Sequence, residues 1–319
     1  MSDYKFDVST AGLTAYVDEN DLELLFQLQA ESGLAADVRI VPGIKDSKRV
    51  HYLSTNATFQ TDACSYTASG STPLTEKTLT VAAIAVMEDF CTKSLNGFWA
   101  EQLVRQGNAG EEEVPQAIAQ AWMAKKLNLV KRQLSIADFQ GDTLSGNANL
   151  NKYDGLLKTV FADASTIDGN TNNATTMVIT NVLANFQNMY LAIPEDLRAS
   201  SPDGDQLIWW VPQSYYDLYI IAARNANLFH YDVNENTQKY HGTEVILRPT
   251  VGLTGADKMI ISTRDNIMVG MDGEDSSDAD NMKVWYSEDD RTNHSLIAFK
   301  RGIQYNFSDY IVRWGLGAS

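Results

Sequence analysis

The run EEEVPQAIAQAWMAKKLNLVKRQLSIADF, from Glu111 to Phe139, constrains this chain more than any other segment. Val114, Ile118, Trp122, Leu129 (or Val130) and Leu134 fall on helical steps and make one apolar stripe. Glu111, Glu112 and Glu113 sit at the positive end of the helix dipole, and Pro115 is tolerated in a first turn. Lys125, Lys126, Lys131 and Arg132 lie toward the negative end. About 25 residues at about 1.5 Å each give a rod of roughly 37 Å. A helix this long with a single stripe is a spine laid across a sheet, so the chain must also supply that sheet.

Strand candidates stand on both sides of the spine. Before it, VRIVPGI, VHYLSTNATF and LTEKTLTVAAIAV carry β-branched and aromatic residues with partial alternation, and the Ser/Thr/Gly-rich QTDACSYTASGSTP separates the last two. Val38 to about Met87 therefore reads as a long β-hairpin with a polar tip. Such a ribbon is marginal alone in water and makes sense draped over another surface. Helical periodicity is expected from about Ala83 to Gln106, with Leu95, Phe98, Trp99 and Leu103 on one side, and over Asp21–Ala30 until Gly33. After the turn-rich residues 140–155 the order becomes α/β. A helix is expected over Thr176–Tyr190 behind the caps Thr171, Asn172 and Asn173, then the all-apolar strand Gln206–Val211, then a helix capped by Ser214. Strands follow at Glu244–Arg248, Lys258–Ser262, Asn266–Met271, MKVWYS, SLIAFKRGIQYNF and YIVRWG.

Composition narrows the functional classes. The chain has 319 residues, 44% of them hydrophobic, which is ample for a sizeable core. A net charge of -16 repels phosphate and argues against gripping nucleic acid as the main task. Two cysteines, Cys64 and Cys91, are too few for a disulfide scaffold or a thiolate zinc site. MSDYKFDVST lacks the basic and apolar regions of a signal peptide, and no stretch is apolar enough to span a membrane, so a soluble protein is expected.

No catalytic, cofactor-binding or metal-binding constellation is read from the residues. The loop holding Asp272, Glu274, Asp275, Asp278 and Asp280 departs from the calcium-loop pattern at Ser277 and Lys283, and reads as a solvated acidic turn. His51, His230, His241 and His294 have no ligand spacing. No phosphate loop, dinucleotide fingerprint or nucleophile elbow occurs. The Glu88–Asp89 pair and the 288–290 acidic run read as surface charge. Trp209, Trp210, Tyr215, Tyr216 and Tyr219 could form a stacking platform for bases or sugars, but a buried strand leading into a packed helix explains them at lower cost.

The ordered set of elements resembles a tailed-phage major capsid protein of the Hong Kong 97 type across nearly the whole chain. The resemblance rests on the arm, hairpin and spine, on VILRPTVGLTGADKMIISTRDNIMVGMDGEDSSDADNMKVWY, and on the closing GIQYNFSDYIVRWG. NKYDGLLKTVFADAS and LIWWVPQSYYDLYIIAARN look like the family's axial domain. CSYTASG at Cys64 and FQGDT at Phe139 are similar to capsid proteins of crAss-like phages of Bacteroidetes hosts. Some family members crosslink a hairpin lysine to a neighbour's asparagine, but Lys45, Lys48 and Lys77 match no such motif. The family's N-terminal scaffolding segment is not found in this sequence, which implies a separate scaffold or a segment outside this chain.

The resemblance implies an α+β fold with an N-terminal arm (1–35), an extended hairpin loop (36–87), a peripheral domain with the spine (88–150), an axial domain (151–265) and peripheral return strands (266–319). It implies pentamers and hexamers of this chain closing an icosahedral head around double-stranded DNA held without sequence-specific contacts. Portal, scaffold and decoration proteins would be partners, and assembly would occur in the host cytoplasm. No enzyme activity, cofactor or membrane is implied. Two other readings stay open: an encapsulin-type nanocompartment shell, and an acidic carbohydrate-binding protein or hydrolase using the 209–219 aromatics.

Overall fold

A computed structural model describes residues 24, 28–53, 59, 74–90, 116–170, 176–199, 206–226, 239–272, 282–287, 289 and 292–315. Its elements run β1 (Arg39–Val41), β2 (Ser47–Leu53), β3 (Leu74–Thr80), β4 (Ala82–Phe90), α1 (Gln116–Gln140), α2 (Leu156–Ala162), β5 (Ile167–Asp168) and α3 (Val182–Leu191). They continue with α4 (Glu195–Ala199), β6 (Leu207–Pro212), α5 (Gln213–Asn225), β7 (Ile246–Thr250), β8 (Lys258–Thr263), β9 (Ile267–Met271), β10 (Met282–Ser287), β11 (Thr292–Tyr305) and β12 (Val312–Gly315). This is the α+β class expected.

The first sheet is built on β11, a 14-residue strand. One side of β11 pairs with β10 and then with β9, which carries β1 in parallel beyond it, while β4 pairs along the other side. The spine α1 lies across this sheet. Met123, Leu127 and Leu134 are buried against Met282, Val284, Ile297 and Phe299, with Val130, Ile84 and Val86 packed at the margin. Steps of four, three and four residues put those four helical side chains in one stripe. The stripe therefore runs through Val130, and Leu129 is 61% exposed. The helix also continues to Gln140, so its last turn holds no basic residue and the four cations sit at mid-helix. The acidic start at Glu111–Glu113 and the side chains of Ile118 and Trp122 lie outside the described residues.

The second sheet has the order β5-β12-β8-β6-β7 and is covered on both faces. Successive residues of a strand point to opposite faces, and β6 uses both. Ile208 and Trp210 join Phe139, Leu156, Val160 and Ile260 in one core, while Leu207, Trp209 and Val211 join Phe186, Tyr219, Met259 and Trp314 in the other. All six residues of β6 are buried, as its uninterrupted apolar run predicts.

Several local expectations are corrected. The segment Val38 to Met87 is not one ribbon: only β2 and β3 pair as a hairpin. Arg39–Val41 pairs with β9 instead, and Ala82–Phe90 pairs with β11 for nine residues, so it is a strand where a helix was expected to begin. Its alanines and Glu88 favour a helix locally, but Ile84 and Val86 gain burial on α1 only when the chain is extended. The helix expected from Thr176 starts at Val182, because the Asn181 side chain accepts from the Val178 N–H and holds a turn. Ser214 lies inside the first turn of α5, whose N-cap is Pro212. The expected caps Thr171–Asn173 and helix Cys91–Arg105 lie outside the described residues.

Candidate assembly surface

The β2–β3 hairpin stands on a flat place in the first sheet. Gly270 of β9 and Gly302 of β11 are cross-strand partners. A Cβ at 302 would collide with the Thr80 carbonyl oxygen, and one at 270 would come within 2.9 Å of the Val81 methyl and 3.1 Å of Ile44 and Leu79. A glycine inside a strand marks a close approach of backbone, and here the approaching backbone is the hairpin root. Ile44, Leu79, Val81 and Met268 close over it as a small buried cluster.

Away from this root the ribbon has few supports. Tyr52 meets Phe307 edge-on at 4.7 Å, and Lys77 Nζ stands 3.9 Å above the Tyr305 ring. Burial holds the Lys77 ammonium below its ordinary pKa, with the Asp163 charge opposing. Asp163 in turn accepts from the Tyr305 hydroxyl at 2.7 Å, which keeps its carboxyl below the ordinary value. The remaining stem is solvent-facing: Ser47, Lys48, Arg49, His51, Leu74, Thr75, Glu76, Thr78 and Thr80 are all exposed. Among the described residues no third strand pairs with it.

Beside the socket, Arg301 is wholly buried. It donates from Nε and Nη2 to the two carboxylate oxygens of Asp138 at 3.0 and 2.6 Å. Its other donors reach the Gln29 carbonyl at 2.9 Å and Ser32 Oγ at 2.7 Å. Tyr153 donates to the same Asp138 at 2.6 Å. Burial alone would pull the guanidinium down, but the Asp138 charge outweighs it and the Arg301 pKa rises. The Tyr153 phenol is pushed well up by burial and by that carboxylate. One paired charge thus ties the N-terminal segment, the spine, the 140–155 loop and β11 together. Sequence reading missed it, yet a signal existed: along β11, Arg301 shares the alternating face of Ile297, Phe299 and Ile303.

The candidates for chemistry are scattered. Trp209 and Trp210 are fully buried and Tyr215 and Tyr219 nearly so, stacked with Phe186, Tyr240 and Trp314. Their rings fill the core and offer no open platform. His51 lies 3.8 Å from Glu76 on the hairpin, His294 pairs with Asp89 beneath Trp285, and the His241 N–H donates to the Tyr219 hydroxyl. Glu88 is drawn to the buried Lys126 at 2.6 Å, and Asp272 to Lys300 at 3.0 Å. Among the described residues no three His, Cys, Asp or Glu side chains converge on a metal-sized space. Cys64, Cys91, His230 and most of the 272–280 loop lie outside them. Lys45 offers only its carbonyl to Lys300, and Lys48 projects from the stem. Among the described residues no helix is long and apolar enough to cross a membrane.

No protein-family model and no curated protein sequence matches the chain. Solved structures do. A chain of the satellite phage P4 procapsid, solved with its size determination protein, aligns over 92% of this chain and 89% of its own, at 15% identity and a TM-score of 0.54. The capsid of the Myoviridae phage XM1 aligns over 90% and 92%, at 12% identity and a TM-score of 0.53. The chain has the Hong Kong 97-type capsid fold. A virus-like particle from Pyrococcus furiosus aligns over 93% of this chain and 98% of its own, at 11% identity and a TM-score of 0.51. The capsid fold accounts for a spine across a sheet, a second sheet covered on both faces, and a hairpin rooted on the first.

Proposed function

We propose that this chain is the major capsid protein of a tailed phage, assembling as pentamers and hexamers into an icosahedral head around double-stranded DNA. The observation that carries the reading is a match running over about nine-tenths of both chains, not a shared motif or a single domain. The hairpin supports it. A ribbon that is mostly solvent-facing away from its root is poorly stabilised within one subunit and gains most when it lies against another. Modest contacts then suffice, because many of them act together in a closed shell. An acidic wall also avoids sticking to packaged DNA. In this reading residues 1–35 are the arm, the β2–β3 hairpin within 36–87 is the extended loop, 88–150 with β1, β4 and β9–β11 form the peripheral domain, and 151–265 with β12 form the axial domain. Portal, scaffold and decoration proteins are the further partners, host cytoplasm is the place of assembly, and the chain carries no catalytic task.

A nanocompartment shell enclosing protein is the second reading, since a virus-like particle from Pyrococcus furiosus also shares the fold. The carbohydrate-binding or hydrolase reading loses support, since Trp209, Trp210, Tyr215 and Tyr219 are buried in the core and Tyr216 is packed against it. The test is to express the chain and measure particle size by light scattering with negative-stain microscopy. Rings or closed shells are expected, and the nucleic-acid content of native particles then separates genome from protein cargo. A chain lacking residues 54–73 should remain a folded subunit yet close no shell. A wild-type chain that stays monomeric at every concentration and salt would overturn the proposal.

A further inference from the structure

We infer that the solvent face of the spine α1 is a weak, sequence-independent contact for the phosphate backbone of the double-stranded DNA that the shell encloses. The inference rests on the shell reading and deepens it, naming the face of the subunit that meets the genome. Between Gln116 and Gln140 the helix carries Lys125, Lys126, Lys131 and Arg132 against a single acid, Asp138. In a chain of net charge -16 this is charge of the minority sign, gathered within residues 125–132. Two of the four cations are used inside the subunit: Lys126 is buried and reaches Glu88 at 2.6 Å, and Lys131 reaches Glu31 at 2.7 Å. Lys125 and Arg132 are exposed, and among the described residues neither pairs with a carboxylate.

Seven positions apart in sequence, these two cations share one side of the helix, about 10 Å from each other along its axis. Ala124, Asn128 and Leu129 beside them are exposed too, so the stripe is open and holds no acceptor-only side chain. The N-terminal segment packed along the helix adds no free acid, since Glu31 is taken by Lys131 and Asp37 by Arg248 at 2.6 Å. Asp138 is held in the core by Arg301, and the loop that follows balances Asp142 and Asp154 with Lys158 and the exposed Lys152. A duplex carries one charge about every 1.7 Å of its axis, so both cations meet phosphates in any register and on any sequence. Two such contacts are weak in one copy, and the acidic remainder of the chain keeps them so, but over a whole shell they add. Acidic protein is the weaker candidate, because it would have to present two carboxylates at this spacing, which every duplex does with its phosphates.

The experiment titrates the full chain, held below its assembly threshold as checked by light scattering, into a fluorescently labelled DNA duplex of about 20 base pairs and reads anisotropy. At about 25 mM NaCl the wild type should bind, and a rise to about 100 mM should weaken binding about tenfold, as two phosphate contacts require. The double variant Lys125→Gln and Arg132→Gln should bind at least about tenfold more weakly at the lower salt and show almost no salt slope. Its melting temperature should match the wild type, since both side chains are exposed and glutamine is as good a helix former. Lys45→Gln with Lys48→Gln removes two exposed cations elsewhere and should leave binding within about twofold. Lys125→Arg with Arg132→Lys keeps the charge and should bind as the wild type does. A wild type that binds no duplex at low salt overturns this inference and leaves the shell reading standing, and so does equal loss of binding in the 125/132 and 45/48 variants. Unchanged duplex binding with a raised assembly threshold in the 125/132 variant also overturns it, giving the stripe to an acidic protein surface. A chain that binds through the stripe but never forms a shell overturns the shell reading and leaves the phosphate contact in place.

Discussion

β6 and β3 are strands of similar length with opposite surroundings. Every residue of β6 is buried, between one core on each face of its sheet. In β3 only Leu79 is buried, and its neighbours meet water. Burial at roughly 25 cal/mol per Å² stabilises the first strand within one subunit. The second is held mainly at its root, over Gly270 and Gly302. The contrast separates what this chain needs in order to fold from what it keeps for a partner.

Breaking the folding side should cost most. Arg301→Met leaves Asp138 buried without its counter-charge, and about 3–5 kcal/mol of stability should be lost for the whole subunit, read from denaturant midpoints. Adding Asp138→Leu should recover a large part, because the cost lies in the stranded charge more than in the missing pair. A loss under about 1 kcal/mol for the single variant would show that the four joined segments do not depend on it. A smaller and local effect is expected at the root. Gly302→Ala drives a methyl into the Thr80 carbonyl, and a cost of roughly 1–3 kcal/mol should fall on the hairpin first. Hydrogen exchange is the measurement: amides of residues 47–53 and 74–80 should lose protection while those of 207–212 keep theirs. Equal loss in both regions would erase the distinction between them.

Where the sequence was legible follows the same division. The strand Gln206–Val211 could be read because its burial is symmetrical, so composition alone specifies it. The spine could be read from its 3.6-residue period, with Leu129 and Val130 left as alternatives because charged neighbours blur the stripe, and Val130 is the one that packs on the sheet. The strand Ala82–Phe90 could be read only in part, as the end of LTEKTLTVAAIAV, since alanine and methionine are helix formers and only the partner β11, some two hundred residues later, makes extension favourable. The glycine socket was visible as Gly270 and Gly302 inside apolar strands, but a glycine reports that something approaches, not what. The hairpin was recognised as needing cover, yet its true extent depends on which neighbouring strands the sheet takes for itself.

The loop 140–155 sharpens the comparison, since it too is polar and solvent-facing but holds itself. Lys158 Nζ lies 2.7 Å from Asp142, 2.8 Å from Asp154 and 3.1 Å from Thr143 Oγ1, in the place a bound cation would take. Gly155 donates to the Gly141 carbonyl at 2.8 Å and closes the loop's ends. The Lys158 hydrogen bond, with the Leu144 N–H, holds the Asp142 carboxyl below its ordinary 3.8. At Asp154 partial burial pushes upward, but Lys158 and Thr143 outweigh it and the value again falls below 3.8. Hydrogen bonds to both carboxylates raise Lys158 above its ordinary 10.5. A lowered carboxyl stabilises above its unfolded value and loses that effect as pH falls through its folded one; a raised lysine stabilises below 10.5 and loses it as pH climbs beyond. The melting-temperature penalty of Lys158→Met should therefore be flat from about pH 5 to about pH 9 and shrink at both extremes. It should be the smallest of these effects, because all three groups are at least partly exposed and so screened. A penalty that persists undiminished at about pH 2.5 would mean that the lysine stem's packing holds the loop, and its charge does not.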